Sequence, residues 1–519
     1  ITGTGTNTFT SSLTYDARYG VTSLAFTEPV GTTTTTYTYD ADGLRATNGS
    51  FAFTRSGPAG VATEMTDGTA TLSLTVTPEG LVGSRALVVA GATVATFTQT
   101  FGSDMKVAAR SESVAGTTTD LGYGYDGNGR LLTVTRGGAV SESYVYDLNG
   151  NRVERSGDAP ATFTFDTRDR LTSAEGAMVV MDAAGRLTTR GDDGFTVGAR
   201  GELLAATVGG TTVTYDYDGH DRLVRRTEGA SVRRFYYAHP AYPFLVTHSS
   251  EGGALTVYVY DDLGVLVSLV RSGVTYYVAS DPTGTPRGVF TASGAEAKVI
   301  EVDAFGRVLS DSAPGFGLAI GFGGGIADEV TGLVRLGLRD YDPRTGRFTT
   351  RDPALFATDQ LHLYVYAQND PVNRRDPSGL VSFGFSAYAG PGGGAKLAFD
   401  GDHASLCFEV GFGAGAGFEV SPNEGAARDG QTIKAEVGVE CGPGGLMYKA
   451  SLDDCGDFKH GLEFKLGPFA IDTAGDSKVS GEDLGQDVGD ALLPEPEGKS
   501  GYKCKPGAKL AGEICRQLW

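Results

Sequence analysis

Tyr144-Val145-Tyr146-Asp147-Leu148-Asn149-Gly150-Asn151-Arg152 is the stretch whose reading decides the fold. Two aromatic residues one place apart fall on the same face of a β-strand, because strand side chains alternate with a period of two. The Asp that follows can accept backbone N–H groups two residues on and so opens a turn, while the Gly supplies positive φ. The Arg then begins a return strand. One strand, one turn and the start of a partner are written in nine residues.

The same phrase recurs on both sides. Tyr123-Gly124-Tyr125-Asp126-Gly127-Asn128-Gly129-Arg130-Leu131 precedes it. Phe163-Thr164-Phe165-Asp166 with Arg170-Leu171, Asp182 with Gly185-Arg186-Leu187, and Tyr215-Asp216-Tyr217-Asp218 with Arg222-Leu223 follow. Tyr258-Val259-Tyr260-Asp261 with Gly264, and Asp303 with Gly306-Arg307-Val308, extend the series, and earlier copies sit at Tyr15-Asp16 and Tyr37-Thr38-Tyr39-Asp40. Asp126, Asp147, Asp166 and Asp182 are spaced by 21, 19 and 16 residues. The wider gaps that follow each fit two periods, with degenerate copies at Gly201-Glu202-Leu203-Leu204 and Tyr236-Tyr237-Ala238-His239-Pro240. A period of about 20 suits one β-hairpin per repeat. Apolar spacing of three and four is nowhere sustained, so helices are not expected. Hairpins joined in series give one continuous sheet that must coil to bury a face. A Tyr ladder and turn-capping Asp residues repeated along the chain are sheet chemistry rather than a catalytic constellation; exposed Tyr rings could also stack on carbohydrate.

Composition agrees. The 519 residues include 77 Gly, 23 Tyr and 26 Phe, only 20% are charged, and the formal net charge is -20. Such a polyanion without a basic patch is not expected to bind nucleic acid or anionic membranes. No run of about 18 apolar residues is present, so no membrane-spanning helix is expected. The five cysteines, Cys407, Cys441, Cys455, Cys504 and Cys515, all lie in the last quarter. They suggest a disulfide-stapled tail and an oxidising destination, with one thiol left over. No C-x-x-C pair points to zinc, and no motif implies a cofactor or metal. Ile1 in place of an initiating Met suggests a processed or partial chain.

The copies resemble the YD repeats of the RHS family, which includes bacterial polymorphic toxins, the C component of insecticidal toxin complexes, wall-associated proteins and animal teneurins. The resemblance implies an all-β protein: a spiralled YD-repeat β-hairpin shell, cocoon-like, over residues 1–310. The segment Asp328-Glu329-Val330-Thr331-Gly332-Leu333, Arg339-Asp340-Tyr341-Asp342-Pro343-Arg344-Thr345-Gly346-Arg347-Phe348, Arg351-Asp352-Pro353, His362-Leu363-Tyr364-Val365-Tyr366 and Asp376-Pro377-Ser378-Gly379-Leu380 is similar to the RHS-associated core. That likeness implies a plug over 311–380, preceded by the family landmark Ser280-Asp281-Pro282-Thr283-Gly284.

In many family members the chain cuts itself after the Asp-Pro-x-Gly-Leu ending. The resemblance implies Asp352 and Asp376 as a carboxylate pair, Arg351 as the residue that tunes or orients them, and Leu380–Val381 as the scissile bond. Carboxylates about 3 Å apart share a proton, so one can activate water while the other polarises the carbonyl. Asp359 is the alternative second carboxylate. Each Asp-Pro step also caps a turn in its own right, since Pro fixes the next φ. Arg339, Arg347 and Arg351 are expected to knit the plug through ion pairs.

Residues 381–519 are expected to form a small, separate antiparallel β module, a meander or barrel, from period-two runs such as Ile433–Glu440 and Leu462–Leu466. A polar linker with Pro494 and Pro496 precedes a Cys504–Cys515 staple. His403 and His460 have acidic neighbours but no spacing that assembles a site. Two functions follow from the resemblance. One is a polymorphic-toxin shell that encloses or presents its own C-terminal domain as cargo, secreted and completed by an upstream segment or a second shell subunit. The other is a non-enzymatic cell-surface, adhesion or wall-associated protein with a carbohydrate or receptor partner.

Overall fold

A computed structural model describes residues 8–380, apart from 58–59, 240–241 and 354–361, together with the short strands Thr2–Gly3 and Phe383–Gly384 and seven strands between 392 and 472. The chain divides into two compact units, Ile1–Ala387 and Tyr388–Trp519. Among the described residues there is no α-helix, and none long and apolar enough to cross a membrane.

The first unit is dominated by one 31-stranded sheet that runs from Thr2–Gly3 to Val308–Asp311. Neighbouring strands are consecutive in sequence and antiparallel, as a chain of hairpins requires. At Val145/Tyr146 the register slips by one residue, and the same slip falls at Gly124/Tyr125, Thr164/Phe165, Asp216/Tyr217 and Val259/Tyr260. Each slip places an extra residue in the return strand. A β-bulge of this kind bends the strand and increases its twist, so a bulge in every repeat coils the sheet. The coiling brings distant strands together: Phe51, Met65 and Phe97 share a core with Tyr277 and Phe290, and Phe26 and Tyr37 share another with Tyr236 and Leu255.

The repeat residues form three kinds of rung. Asp126 Oδ1 accepts the Asn128 and Arg130 N–H groups at 2.9 and 3.0 Å, while Gly129 takes φ 78°. Its Oδ2 is held by Arg130 Nε at 2.7 Å. Asp166 with Arg170, Asp182 with Arg186, and Asp218 with Arg222 repeat the arrangement. Where the second aromatic residue of a copy is Tyr, it ties its repeat to the one before. Tyr125, Tyr146, Tyr217, Tyr237 and Tyr260 donate their hydroxyls to the carbonyls of Val107, Leu131, Leu203, Leu223 and Val246. Finally, the cation of one turn lies over the ring of the next: Lys106 over Tyr125, Arg130 over Tyr146 and Arg222 over Tyr237, at 4.5–4.9 Å.

Residues 311–380, the expected plug, belong to this same unit. Leu318, Ile320, Ile326 and Leu333 pack into the core that Phe195, Val213 and Phe235 build from the shell. A four-stranded sheet follows, from Ile326–Ala327, Val334–Leu336, Arg339–Asp342 and Arg347–Phe348. All four residues of Arg339–Asp342 are buried. Three of them are charged, and each has an opposite partner: Arg339 with Asp352, Asp340 with Arg335, Asp342 with Arg190. Pairing is the condition on which charge is tolerated there.

The second unit contains a seven-stranded antiparallel meander, Gly392–Asp400, His403–Phe412, Ala416–Ser421, Ile433–Cys441, Gly444–Leu452, Phe458–Leu466 and Phe469–Asp472. This is the sheet that the period-two runs predict. The Cys504–Cys515 staple and the Pro494 linker lie outside the described residues.

Candidate active site

The turn Asp376–Leu380 is built like a repeat turn. Asp376 Oδ1 accepts the Leu380 N–H at 3.0 Å and the Ser378 hydroxyl at 3.1 Å. Pro377 fixes φ after the Asp, and Gly379 takes φ 70°. A Cβ at Gly379 would run into the Leu336 carbonyl, so the position is closed to other residues on two counts. The Leu338 N–H donates to the Ser378 carbonyl at 2.9 Å. The turn is thus clasped against the loop that joins the strands Val334–Leu336 and Arg339–Asp342.

Arg339 occupies the centre. One nitrogen, Nη2, lies 3.0 Å from Asp352 Oδ2 and 3.3 Å from Asp376 Oδ2. Nε donates to the Gly379 carbonyl, Nη1 reaches the Leu363 carbonyl at 3.2 Å, and the guanidinium stacks 3.6 Å from the Phe348 ring centroid. Asp352 is fixed from the other side, its N–H donating to the Leu363 carbonyl at 2.8 Å. The three charged side chains are only 2–4% exposed. Burial pulls the Arg339 pKa down, opposed by the two carboxylates beside it.

The two expected carboxylates therefore meet, separated in sequence but joined at a single nitrogen. Arg351 stands elsewhere. Its guanidinium lies against Gly185 and is hydrogen-bonded with Tyr364, whose hydroxyl donates to the Gly185 carbonyl at 3.0 Å. The cation that orients the pair is Arg339, which sequence reading had placed only among the general ion-pair partners of the plug. Leu380 is buried and in contact with the pair through its N–H. Val381 and the alternative carboxylate Asp359 lie outside the described residues. Among the described residues, no group of three or more His, Cys, Asp or Glu side chains is arranged to hold a metal ion.

Chemically, the arrangement offers two carboxylates, a buried cation and a backbone segment held by one of the acids. A guanidinium between two carboxylates holds both in place. A cavity of about 230 Å³, lined by Gly337, Arg375 and Pro377 among others, adjoins the turn.

Residues 7–372 match the teneurin YD-shell family. Teneurin-3 of Danio rerio is 36% identical over 276 residues, which are 50% of this chain and 10% of that protein. Teneurin-1 of Mus musculus is 38% identical over 266 residues, 49% of this chain and 10% of that protein. The chain thus spans about a tenth of the length of these curated relatives. Among solved structures, a Photorhabdus luminescens Tc holotoxin pore gives a TM-score of 0.59 at 18% identity over 72% of this chain and 21% of that one. A TcdB2-TccC3-Cdc42 complex gives 0.54 at 18% identity with the same coverage. At that identity the likeness concerns the fold. From the repeat rungs, the coiled sheet and a match over most of its length, this chain belongs to the teneurin YD-shell family.

Proposed function

We propose that the chain is a self-processing shell, in which the repeat sheet and plug present the C-terminal domain as cargo and Asp352 and Asp376 cleave the Leu380–Val381 bond. The observation that supports this reading is the meeting of both carboxylates at Arg339 Nη2, with the Leu380 N–H already bound to Asp376. The attacked carbonyl carbon of Leu380 is two covalent bonds from that nitrogen. One carboxylate, unprotonated, takes a proton from water as the water oxygen attacks this carbon. The other, protonated, donates to the carbonyl oxygen. As the C–N bond breaks, the acid that took the proton from water passes it to the Val381 nitrogen and the other recovers its proton from the adduct hydroxyl, giving the Leu380 carboxylate and the Val381 amine. In the active form one acid carries a proton in place of its contact with Arg339. In this reading the protein is a secreted effector of polymorphic-toxin type, completed by an upstream segment or a second shell subunit.

A second reading has one observation in its favour. The family match ends at residue 372, before Asp376 and Leu380. A continuous surface or adhesion protein would use the shell alone, and Arg339 would be a permanent clamp. Intact mass of the purified chain separates the two. The first reading expects two pieces meeting at Leu380–Val381, and one uncut chain in Asp352→Asn and in Asp376→Asn. An uncut 54.0 kDa wild type, folded by its β-rich circular dichroism, overturns it in favour of the second.

A further inference from the structure

Several repeat turns carry no cation at the fourth following residue, Asp16–Gly20, Asp40–Leu44 and Asp261–Val265 among them, and two others lie between turns that do carry one. In the turn opened by Asp147 the fourth following residue is Asn151, and in the turn opened by Gly198 it is Glu202, where Lys106, Arg130 and Arg222 stand in equivalent turns. The Gly198 turn is otherwise regular: its N–H donates to the Glu202 carbonyl at 2.8 Å, as the Asp126 N–H does to Arg130 at 3.0 Å. These two turns each precede an aromatic rung, Phe165 and Tyr217.

Both rungs nonetheless have a guanidinium above them, and in both cases it comes from the plug. Arg347 lies 4.6 Å from the Phe165 centroid and Arg335 lies 4.8 Å from the Tyr217 centroid. Arg347 Nη2 donates to the Asp169 carbonyl at 2.5 Å, and Arg335 Nη2 to the Asp221 carbonyl at 3.1 Å. Those carbonyls belong to the third residue past the Asp of the next turn. Lys106 uses the same carbonyl in its own case, Gly129, at 2.9 Å. Arg347 also donates to the Asn151 side chain itself, at 3.2 Å. The plug arginines reproduce the ring contact of the repeat cation and the carbonyl contact of Lys106, whereas Arg130, Arg170 and Arg186 reach the carbonyl of the residue that opens the next turn, Asp147, Asp182 and Gly198.

We propose that the turns at Asn151 and Glu202 are sockets, an interaction surface of the shell shaped for two guanidinium groups, and that their occupants are Arg347 and Arg335 of the plug. The sockets select the register in which the plug enters the sheet. Their geometry reaches the Asp pair as well. Val334–Leu336 and Arg347–Phe348 are the two strands flanking Arg339–Asp342, so seating one arginine on each side fixes the strand that carries Arg339. Arginine suits this role better than lysine, because its flat group stacks on a ring and donates to a carbonyl in the same plane. The inference does not depend on self-cleavage.

The test is a cross in the full chain, read by thermal midpoint and by protease sensitivity of residues 311–380. Gly198→Asp with Glu202→Arg restores the ordinary repeat turn. Gly198 does not need positive φ, and the one close neighbour of a Cβ there is the Glu202 carboxylate that the change removes. In wild type this repair is expected to lower the midpoint by about 2–4 °C and expose the plug, since the new arginine competes with Arg335 for Tyr217. In an Arg335→Ala chain the same repair is expected to raise the midpoint. Opposite signs in the two backgrounds support the sockets. A repair that stabilises wild type, as restoring a repeat consensus ordinarily does, or effects that simply add, overturn them. If Arg335→Ala gives no folded chain, Arg335→Lys takes its place in the cross, and the wild-type arm decides on its own.

Discussion

Asp126 and Asp376 open the same turn and meet their cations by different routes. Each accepts the N–H of the fourth following residue through Oδ1, from Arg130 at 3.0 Å and from Leu380 at 3.0 Å. Each offers Oδ2 to a guanidinium. For Asp126 that group is Arg130, four residues away, and both side chains are 18–20% exposed. For Asp376 it is Arg339, 37 residues away, and both are 2–3% exposed. The repeat pair is local and about one-fifth exposed, so it forms whenever the hairpin forms and is worth little alone. The plug pair forms only when separate segments have assembled, and once buried it is costly to break. One turn motif thus serves as a repeated fastener in the shell and as a single clamp in the plug.

The largest effect should come from taking away that clamp. Arg339→Met keeps the stack on Phe348 in approximate form but leaves the Asp352 and Asp376 carboxylates buried without their shared cation. The expected cost is about 3–5 kcal/mol in urea unfolding, the range for removing one partner of a buried ion pair. Adding Asp352→Asn should recover part of it, because one stranded charge is then gone. Costs of less than about 1 kcal/mol would mean that plug and repeat pairs do not differ in kind.

Acid should separate the shell's two sorts of titratable group. Burial pulls His248, stacked on Phe26 at 4.1 Å, down to about 3, and His239 down to about 4. Both must be neutral in the folded chain but take up protons when unfolded near pH 6.5. The unfolded state therefore binds more protons below that pH, and stability falls as pH falls from 6.5 towards the folded values. In the turns the sign of the shift is the same but the window is lower. Burial raises the Asp126 pKa, and the hydrogen bonds and charge of Arg130 lower it by more. Its contribution is intact above the unfolded carboxylate value of about 4 and is lost below it. Between pH 6.5 and 4.5 the loss should come from histidine, about 2 kcal/mol for His248. His248→Gln should flatten that limb. A limb unchanged in the variant would assign the acid sensitivity to carboxylates instead.

The same distinction decides what could be read from the sequence. The hairpin period, the inward Tyr-x-Tyr faces and the Asp-capped turns are local, and each copy confirms the others, so Tyr144 to Arg152 sufficed to predict them. The pairing of Asp352 with Asp376 was reached through family likeness, not spacing. Arg339 was visible only as one charged residue in Arg339-Asp340-Tyr341-Asp342, where strand alternation would put half the charges in water. The structure buries all four, and no local rule distinguishes Arg339 from Arg351. Sequence alternation makes the repeat arginines the first residues of return strands. Their second contact, over the ring of the next repeat, joins residues 15–16 apart and has no signature within one copy.

The smallest expected effect tests whether that second contact matters. Arg222 pairs with Asp218 at 2.6 Å, lies 4.7 Å from the Tyr237 centroid and is about one-fifth exposed. Removing it in Arg222→Ala should cost about 1 kcal/mol, from a screened pair and a partly wet stack. Asp218→Asn keeps Arg222 and weakens the pair alone, so the difference between the two variants isolates the stack. If both variants cost the same, the rung over Tyr237 contributes nothing, and coupling between repeats rests on the Tyr hydroxyl bonds and the backbone ladder. If Arg222→Ala costs clearly more, the guanidinium joins one hairpin to the next. The shell would then be stitched along its turns as well as along its strands, and an empty socket would be a real vacancy rather than a harmless variation in the repeat.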